Sequence, residues 1–310
     1  MMRFLAPLIM SLSMIGCHTA EVRGLEGHAR VLVLGTGQDA GVPQAGAFAH
    51  PGWDNPEHNR SATCLAVITD DAQYLFDCTP DFREQYRLLY ETTGSPNIDG
   101  IFLTHAHIGH YSGLMFLGRE SMGTDHVPVW AMPRMKSFLQ TNGPWSLLVE
   151  LGNIELRDLS SGVAIQLESD LTVTPLLVPH RGEFSETVGF MIEGAKQSIL
   201  YLPDIDSWDK LDATGVRIED LIAQVDIAYL DATFFSGDEL PGVDLSQIPH
   251  PFITTSLDRF EALCPSDRAK IHFLHLNHSN PAQFEHTDAH EEVTAAGMSV
   301  AKQGDLTILD

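Results

Sequence analysis

Three histidines lie close together directly after a short apolar run. The run spans residues 101–103, and the histidines are His105, His107 and His110. A run of this length is typical of a buried strand, and the residues after it indicate a turn entering a helix. His105 and His107 are separated by one residue, so they point to the same side of an extended backbone, and His110 can approach from the turn. Converging neutral imidazoles predict a metal site, because zinc, iron and manganese accept such ligands.

Three further apolar runs end in a side chain of a metal-binding type. The run 171–179 precedes His180, the run 198–203 precedes Asp204, and the run after Lys270 leads to His275 and His278. Alone, His180 is more often a strand-end histidine and Asp204 a helix cap. Together, histidines and a carboxylate at the ends of several buried strands favour a metal centre over a histidine-rich surface loop.

The spacing His105-x-His107-x-x-His110 resembles the HxHxDH signature of the metallo-β-lactamase superfamily. The resemblance implies an α/β fold of the αββα sandwich type, with two sheets packed between helices. It implies a first metal bound by His105, His107 and His180, and a second bound by His110 and His278, with Asp204 bridging the two. His275 is offset by three residues and is expected to face the other side of a regular strand, the alternative being that the strand end is not regular.

Gly109 occupies the signature position that carries Asp in this superfamily. In the family that Asp ligates the second metal, whereas glycine has no side chain to do so. We therefore expect a tight first metal site and a weaker second one. A carboxylate introduced by Gly109→Asp is expected to strengthen the second site.

The opening of the predicted domain, residues 30–44, resembles the LGTG-x-x-x-GxPxxG element of a metallo-β-lactamase subgroup. This subgroup includes phosphoribosyl cyclic phosphodiesterases and the pyrroloquinoline-quinone biosynthesis protein B. Members with a structural zinc carry cysteines just downstream, where this chain has none, so we expect no structural zinc in residues 45–53. His50 and His58 are expected to be solvated, with substrate contact as the alternative. Glu183 and Glu186 resemble acidic positions of the protein B group.

Two further residues are assigned by resemblance to ribonuclease Z relatives. Residues 226–235 resemble their strand and HEATF-like element, with Leu230-Asp231 in place of His-Glu. His250 lies where those relatives have a histidine at a helix start. The resemblance implies that Asp231 and His250 form an acid–base pair that supports the ligands, and Asp204 is also expected to take part in catalysis. The alternative for His250 is a residue that merely precedes a helix.

The apolar runs 60–68 and 73–76 are separated by a polar turn and predict a β-hairpin. A helix is expected soon after it. Asp77 and Asp81 are expected to cap this helix or to support the ligands, not to bind metal. Cys78 is expected to be a small buried side chain, with a residue of the site as the alternative.

The first residues, Met1 to Gly16, have the pattern of a secretory signal peptide. The sequence Met14-Ile15-Gly16-Cys17 resembles a bacterial lipobox, which implies cleavage before Cys17 and a lipid anchor on its thiol. No Asp follows the cysteine, so we expect an exported, periplasmic protein anchored to the outer membrane. The alternative is an ordinary signal peptide with an incidental cysteine. Residues 17–310 show no linker or repeat and are predicted to form one metallo-β-lactamase-like domain.

The composition limits the partners. The chain has 42 Asp plus Glu against 18 Lys plus Arg, so most of its surface would repel a nucleic acid. No basic clamp is apparent, and a small-molecule substrate is expected. The cysteines show no CxxC spacing, which argues against a disulfide framework.

These features predict a metal-dependent hydrolase. One or two zinc ions, with manganese or iron as alternatives, would activate a water that attacks a small ester, lactone or cyclic phosphodiester. Two alternatives stay open. One is an iron-dependent oxygenase or hydroxylase, as the resemblance to the protein B group implies. The other is a non-catalytic metal-binding lipoprotein in which Gly109 marks lost chemistry.

Overall fold

The structure is a computed structural model that describes residues 29–240 and 242–309. The predicted signal peptide and Cys17, the predicted site of a lipid anchor, lie outside the described residues. Among the residues described, no helix combines the length and apolar composition that crossing a membrane requires.

The first sheet contains seven strands within the described part of the chain. Its strands are β1 (Arg30–Gly35), β2 (Cys64–Ile68), β3 (Gln73–Phe76), β4 (Gly100–Phe102), β5 (Val127–Ala131), β6 (Ile154–Asp158) and β14 (Leu306–Ile308). They lie in the order β14-β1-β2-β3-β4-β5-β6. The predicted hairpin is confirmed, because β2 and β3 pair antiparallel, and β3 to β6 continue as parallel neighbours.

The second sheet also contains seven strands among the described residues. Its strands are β7 (Ile165–Glu168), β8 (Leu171–Leu177), β9 (Val188–Glu193), β10 (Ser198–Leu202), β11 (Ile227–Asp231), β12 (Ile271–Leu274) and β13 (Ser299–Val300). They lie in the order β13-β12-β11-β10-β9-β8-β7, and β10, β11, β12 and β13 are parallel neighbours. The carboxyl ends of β10, β11 and β12 therefore meet at one edge.

Helices cover the outer face of each sheet. Against the first sheet lie Phe82–Thr93, Pro133–Thr141 and Trp145–Glu150, and against the second lie Trp208–Ala213, Ile218–Ala223, Ile253–Phe260 and Asp288–Ala295. Two shorter α-helices are Ile108–Tyr111 and Pro265–Arg268. The resulting helix–sheet–sheet–helix layers confirm the predicted αββα sandwich.

Aromatic side chains fill the space between the two sheets. Phe76 and Phe102 of the first sheet pack against Phe190 of the second, with ring centroids 5.3 and 5.8 Å from it, and all three are buried. Full burial of each such ring contributes roughly 1.5–3 kcal/mol. Because both faces of these strands are covered, their sequences read as continuous apolar runs. This packing fixes the edge at which the polar strand ends converge.

Candidate metal centre

The first ligand group consists of His105, His107, His180 and Asp204. One ligand atom from each of these residues lies within 4.8 Å of the others. His105 and His107 follow β4, His180 follows β8, and Asp204 follows β10. The rings of His105 and His107 are 4.4 Å apart, as the alternating spacing predicts. Strand ends from both sheets thus bring three imidazoles to one carboxylate.

The second ligand group consists of Asp39, His110 and His275, whose ligand atoms also lie within 4.8 Å of one another. His110 belongs to the short helix Ile108–Tyr111, and His275 directly follows β12. Asp39 lies in the turn after β1, and its Oδ1 is 3.8 Å from His110 Nε2. This group therefore draws its members from three distant parts of the sequence.

Asp204 contacts both groups. Its Oδ1 is 3.2 Å from His180 Nε2, and its Oδ2 is 3.2 Å from His105 Nε2. The same Oδ2 is 3.7 Å from His110 Nε2 and 3.9 Å from His275 Nε2. The carboxylate is almost fully buried. If each group held a cation, Asp204 would be within reach of both.

His278, which the resemblance assigned as the final ligand, lies outside the ligand groups. None of the ligand groups found among the described residues includes His278, whose ring instead contacts that of His50 at 6.3 Å. The expectation assumed a regular strand. The ladder ends at Leu274, and His275 adopts a left-handed backbone with φ 62°. That turn directs the His275 ring, not His278, into the second ligand group.

Neighbouring side chains fix the ring orientation of three histidines. The Nδ1 atoms of His105, His110 and His275 are bonded to Thr104 Oγ1 at 3.0 Å, Asp77 Oδ2 at 2.7 Å and Thr233 Oγ1 at 2.9 Å. Their Nε2 atoms are buried without a hydrogen-bond partner. Buried polar atoms are rarely left unpaired, and metal-binding histidines are commonly held through the other ring nitrogen. These orphaned nitrogens fit a bound cation.

The ring of His107 is oriented the other way round, with Nε2 towards its supporting carboxylate and Nδ1 towards the first ligand group. Its Nδ1 lies 3.2 Å from His180 Nε2, and its Nε2 lies 3.1 Å from Glu183 Oε2. His180 has its Nδ1 3.0 Å from Asp206 Oδ1, and Lys210 holds the other oxygen of Asp206 at 2.6 Å. Carboxylates behind the rings thus orient both histidines of the first group.

Most of the imidazoles are held neutral. Burial lowers the pKa of His105 and His275 well below its ordinary value, and neighbouring imidazoles add to the effect. Burial, followed by the charges of His250 and His107, also lowers the pKa of His180. A neutral imidazole is the form that binds a metal. The arrangement is ready for a cation without prior loss of protons at these positions.

Neighbouring carboxylates favour the protonated form of His110, and burial favours the protonated form of Asp204. Burial alone would lower the pKa of His110, but Asp77, Asp204 and Asp39 outweigh burial and raise that pKa to about 9. Burial raises the pKa of Asp204 to about 8, against the opposing charge of His250. A divalent cation would displace such protons on binding.

His250 and Asp231 meet beside Asp204. His250 Nδ1 is 2.8 Å from Asp231 Oδ2 and 3.3 Å from Asp204 Oδ1. Asp231 is fully buried and also accepts hydrogen bonds from the backbone N–H of Ile205 and from Thr233. Burial lowers the pKa of His250, but Asp231 and Asp204 outweigh it and raise the pKa to about 9. The structure therefore brings together the two residues that resemblance paired.

Comparison with known proteins identifies the family. A family model described as the beta-lactamase superfamily domain matches residues 72–294, which is more than half of the chain. The chain belongs to the metallo-β-lactamase-fold superfamily. The matched residues include both histidine clusters and the shared carboxylate.

Similar proteins cover nearly the whole described chain. Coenzyme PQQ synthesis protein B of Xanthomonas campestris pv. campestris is 25% identical over 309 residues, covering 89% of this chain and 98% of the relative. The crystal structure of Zn(2+)-bound PqqB from Methylobacterium extorquens matches with a TM-score of 0.74 at 21% identity, covering 90% and 99% of the two chains. A new diphosphatase from the PhnP family matches with a TM-score of 0.66 at 25% identity, covering 91% and 97%. The chain is thus similar to proteins of the subgroups that the sequence resembles.

The sequence reasoning did not place Asp39 or His275 in the second ligand group. Asp77 supports the ligand His110, which is one of the two roles expected of it. All three have positive φ, at 34°, 62° and 71°. Asp39 and Asp77 follow β1 and β3 as Asp204 follows β10, so a strand-end carboxylate was the signal available for both.

The remaining predicted residues lie around the centre or away from it. Asp81 Oδ2 accepts the backbone N–H of Ala62, and Cys78 is buried with a free thiol, as expected. His50 accepts the N–H of Gly52, and His58 packs on Phe284. Glu186 accepts the backbone N–H of Arg134 at the start of helix Pro133–Thr141. The contacts of Asp81, His50, His58 and Glu186 hold the backbone of the surrounding loops and helix start.

Proposed function

We propose that the chain is a metal-dependent hydrolase that cleaves a small phosphodiester or ester, with water as the nucleophile. One observation carries the proposal: Asp204 lies between two ligand groups and contacts histidines of both. Paired cations of this kind occur in phosphatases, nucleases and aminopeptidases, where they stabilise both the attacking and the leaving oxygen. The similarity to a diphosphatase supports phosphorus–oxygen bonds as the first class to test.

The cofactor we propose is zinc, with manganese or iron as alternatives. Nitrogen ligands and carboxylate oxygens suit all three metals. When bound, such cations lower the pKa of a water and polarise the bond under attack. The residues that would hold them are His105, His107, His180, His110, His275 and Asp204.

We assign proton transfer to His250. Its Nδ1 is bonded to Asp231, a fully buried carboxylate that favours the imidazolium form. Asp231 is itself held by Ile205 and Thr233, so it orients the His250 ring. In the proposed reaction His250 Nε2 donates its proton to the leaving oxygen, and Asp231 stabilises the ring without touching the substrate.

Exposed apolar side chains favour an organic substituent on the substrate. Ile108 follows His107 directly, and Phe184 follows Glu183, which contacts His107. These two side chains are 68% and 60% exposed, which is unusual for large apolar residues beside a polar centre. A diester with an apolar group is therefore favoured over a free inorganic anion, in keeping with the acidic composition.

Hydrolysis of a panel of small substrates tests the proposal. The protein is stripped of metal, reloaded with zinc or manganese, and assayed with bis(p-nitrophenyl) phosphate, a cyclic phosphodiester, a dinucleoside diphosphate, p-nitrophenyl acetate and a lactone. We expect metal-dependent hydrolysis of a phosphodiester or ester and a loss of roughly 1000-fold in Asp204→Asn, because both cations lose a shared ligand. Asp209→Asn, a carboxylate exposed on helix Trp208–Ala213, is the matched control.

Two results would overturn the hydrolase. The first is metal-loaded protein that hydrolyses none of these classes while the iron-loaded form consumes oxygen, which would favour the oxygenase. The second is hydrolysis that persists unchanged in Asp204→Asn, because the activity would then belong to a contaminant.

We further propose that the mature protein is exported and anchored through Cys17. The support is the lipobox-like sequence Met14 to Cys17. Labelling with a radioactive or clickable fatty acid tests it: the wild-type chain should incorporate label and Cys17→Ser should not. If the wild-type protein has the size expected after signal cleavage but carries no label, the segment is an ordinary signal peptide and the anchor is contradicted.

A further inference from the structure

Asp39 presents an unsatisfied oxygen to the second ligand group. Its Oδ1 is buried without a hydrogen-bond partner and lies 3.8 Å from His110 Nε2. The Nε2 atoms of His110 and His275 are likewise buried and unpartnered. A carboxylate oxygen and two imidazole nitrogens that face one another without other partners are the donor types of a zinc or manganese site.

Gly109 leaves the space that Asp39 occupies. A Cβ atom at position 109 would lie 2.3 Å from Asp39 Cα, 2.6 Å from its Oδ1 and 2.8 Å from its backbone oxygen. Two of these three contacts involve backbone atoms, which cannot rotate away as the end of a flexible side chain can. Any other residue at position 109 would therefore displace the turn that carries Asp39.

The turn is also tied to the segment that carries His275. Gln38 N–H donates to Leu276 O at 2.8 Å, and Leu276 N–H donates to Thr36 O at 2.9 Å. The side chains of Gln38 and Asn277 are hydrogen-bonded as well. Asp39 adopts φ 34°, a conformation that costs a non-glycine residue free energy and is often retained for function. The fold thus holds Asp39 and His275 at a fixed separation.

We propose that Asp39 is a metal ligand, supplying the carboxylate that position 109 lacks and completing the second metal position with His110, His275 and Asp204. The inference rests on the metal centre of the proposed function, but not on any hydrolytic activity. It reverses the expectation drawn from the sequence alone. The second position is not deprived of a ligand by Gly109, and Gly109→Asp should weaken it by displacing Asp39.

Zinc binding by the full chain tests the proposal. Metal-free wild-type protein, Asp39→Asn and Gly109→Ala are titrated with Zn²⁺ against a chromophoric chelator, and bound zinc is counted by elemental analysis. Asp39→Asn keeps the size of the side chain but removes its charge. Asp54→Asn is the matched control, because Asp54 is an exposed carboxylate further along the same loop region.

We expect about two zinc ions per wild-type chain. In Asp39→Asn and Gly109→Ala the first ion should bind as in the wild type, and the second at least roughly 10-fold more weakly, since even residues behind the ligands change affinity by that much. The unchanged first ion shows that the variants are folded. Asp54→Asn should bind both ions normally.

Two outcomes would overturn the inference: wild-type affinity for both ions in Asp39→Asn, or only one zinc ion in the wild-type chain. The inference and the proposed function fail separately. If the protein is inactive but binding of the second ion depends on Asp39, the ligand assignment stands and the proposed hydrolase is contradicted. If the protein is active but binding of the second ion does not depend on Asp39, the hydrolase stands and the ligand assignment is contradicted.

Discussion

The two ligand groups of the metal centre are built in different ways. In the first group, His105 and His107 come from one short extended segment, and their supporting carboxylate Glu183 has a side chain that is 50% exposed. In the second group, the members come from three distant segments, and the Asp77 side chain behind His110 is 0% exposed. Local spacing thus sets two of the four ligands of the first site, which otherwise also draws on separate strand ends, while every ligand of the second site comes from a different segment. Substitutions in the second group should therefore lower the free energy of unfolding as well as the affinity for metal.

The largest contrast should appear when one histidine is removed from each group. We expect His105→Ala to lose the first cation and His275→Ala to lose the second, each leaving about one ion per chain. Activity should fall by roughly 100-fold or more in both, since each cation contributes several kcal/mol to the transition state. Elemental analysis and the rate of diester hydrolysis measure these effects. Loss of both ions from His275→Ala alone would mean that the groups are not separable.

Asp77→Asn should affect the second group and the fold together. Asp77 accepts hydrogen bonds from the Thr104 backbone and hydroxyl and contacts His110 at 2.7 Å. We expect affinity for the second ion to fall by roughly 10–100-fold. The free energy of unfolding of the metal-free protein should fall by about 2 kcal/mol, because buried hydrogen bonds to a charged group are weakened. Denaturant unfolding and zinc titration report the two effects. An unchanged second affinity would show that Asp77 is only structural.

Glu183→Gln is the corresponding change behind the first group. Glu183 contacts His107 Nε2 at 3.1 Å but is half exposed, so water can replace it. We expect the first ion to bind less than about 10-fold more weakly, with no measurable change in unfolding free energy. A loss as large as that of Asp77→Asn would contradict the difference drawn between the groups.

The smallest effect is expected at a carboxylate outside the centre. Two hydrogen bonds from Arg259, at 2.7 and 2.9 Å, lower the pKa of Glu219 to about 2. A carboxyl with a lowered folded-state pKa stabilises the fold above its ordinary pKa, and this stabilisation is lost as pH falls towards 2. Glu219→Gln should cost about 1 kcal/mol or less at pH 7, and the difference from wild type should shrink at pH 3.5, with no change in bound zinc. An equal difference in unfolding free energy between the two proteins at both pH values would show that the Glu219–Arg259 ion pair does not stabilise the fold.

The difference between the groups also explains which parts of the fold and of the site could be predicted from the sequence. The hairpin of β2 and β3 and the strand-end positions of His105, His107, His180 and Asp204 follow from apolar runs that end in polar residues, whereas the αββα layers were expected from the resemblance to the superfamily. In those elements the backbone is regular up to the ligand, so residue spacing predicts direction.

The second group could not be read from spacing, because its backbone is irregular. His275 was expected to face away from the centre, yet its left-handed conformation turns the ring inward and leaves His278 against His50. Asp39 lies far from His110 in sequence, and its approach depends on the absence of a side chain at Gly109. Only a three-dimensional structure shows that Asp39 occupies the space that a Cβ atom at position 109 would take.

The central claim is that two cations share Asp204, the second bound beside His275 and not beside His278. Crystals of the zinc-loaded protein, with diffraction recorded on both sides of the zinc absorption edge, test it most directly. We expect two anomalous peaks within ligand distance of Asp204, one contacted by His105, His107 and His180 and the other by His110 and His275. A single peak, or a second peak bound by His278, would contradict the claim.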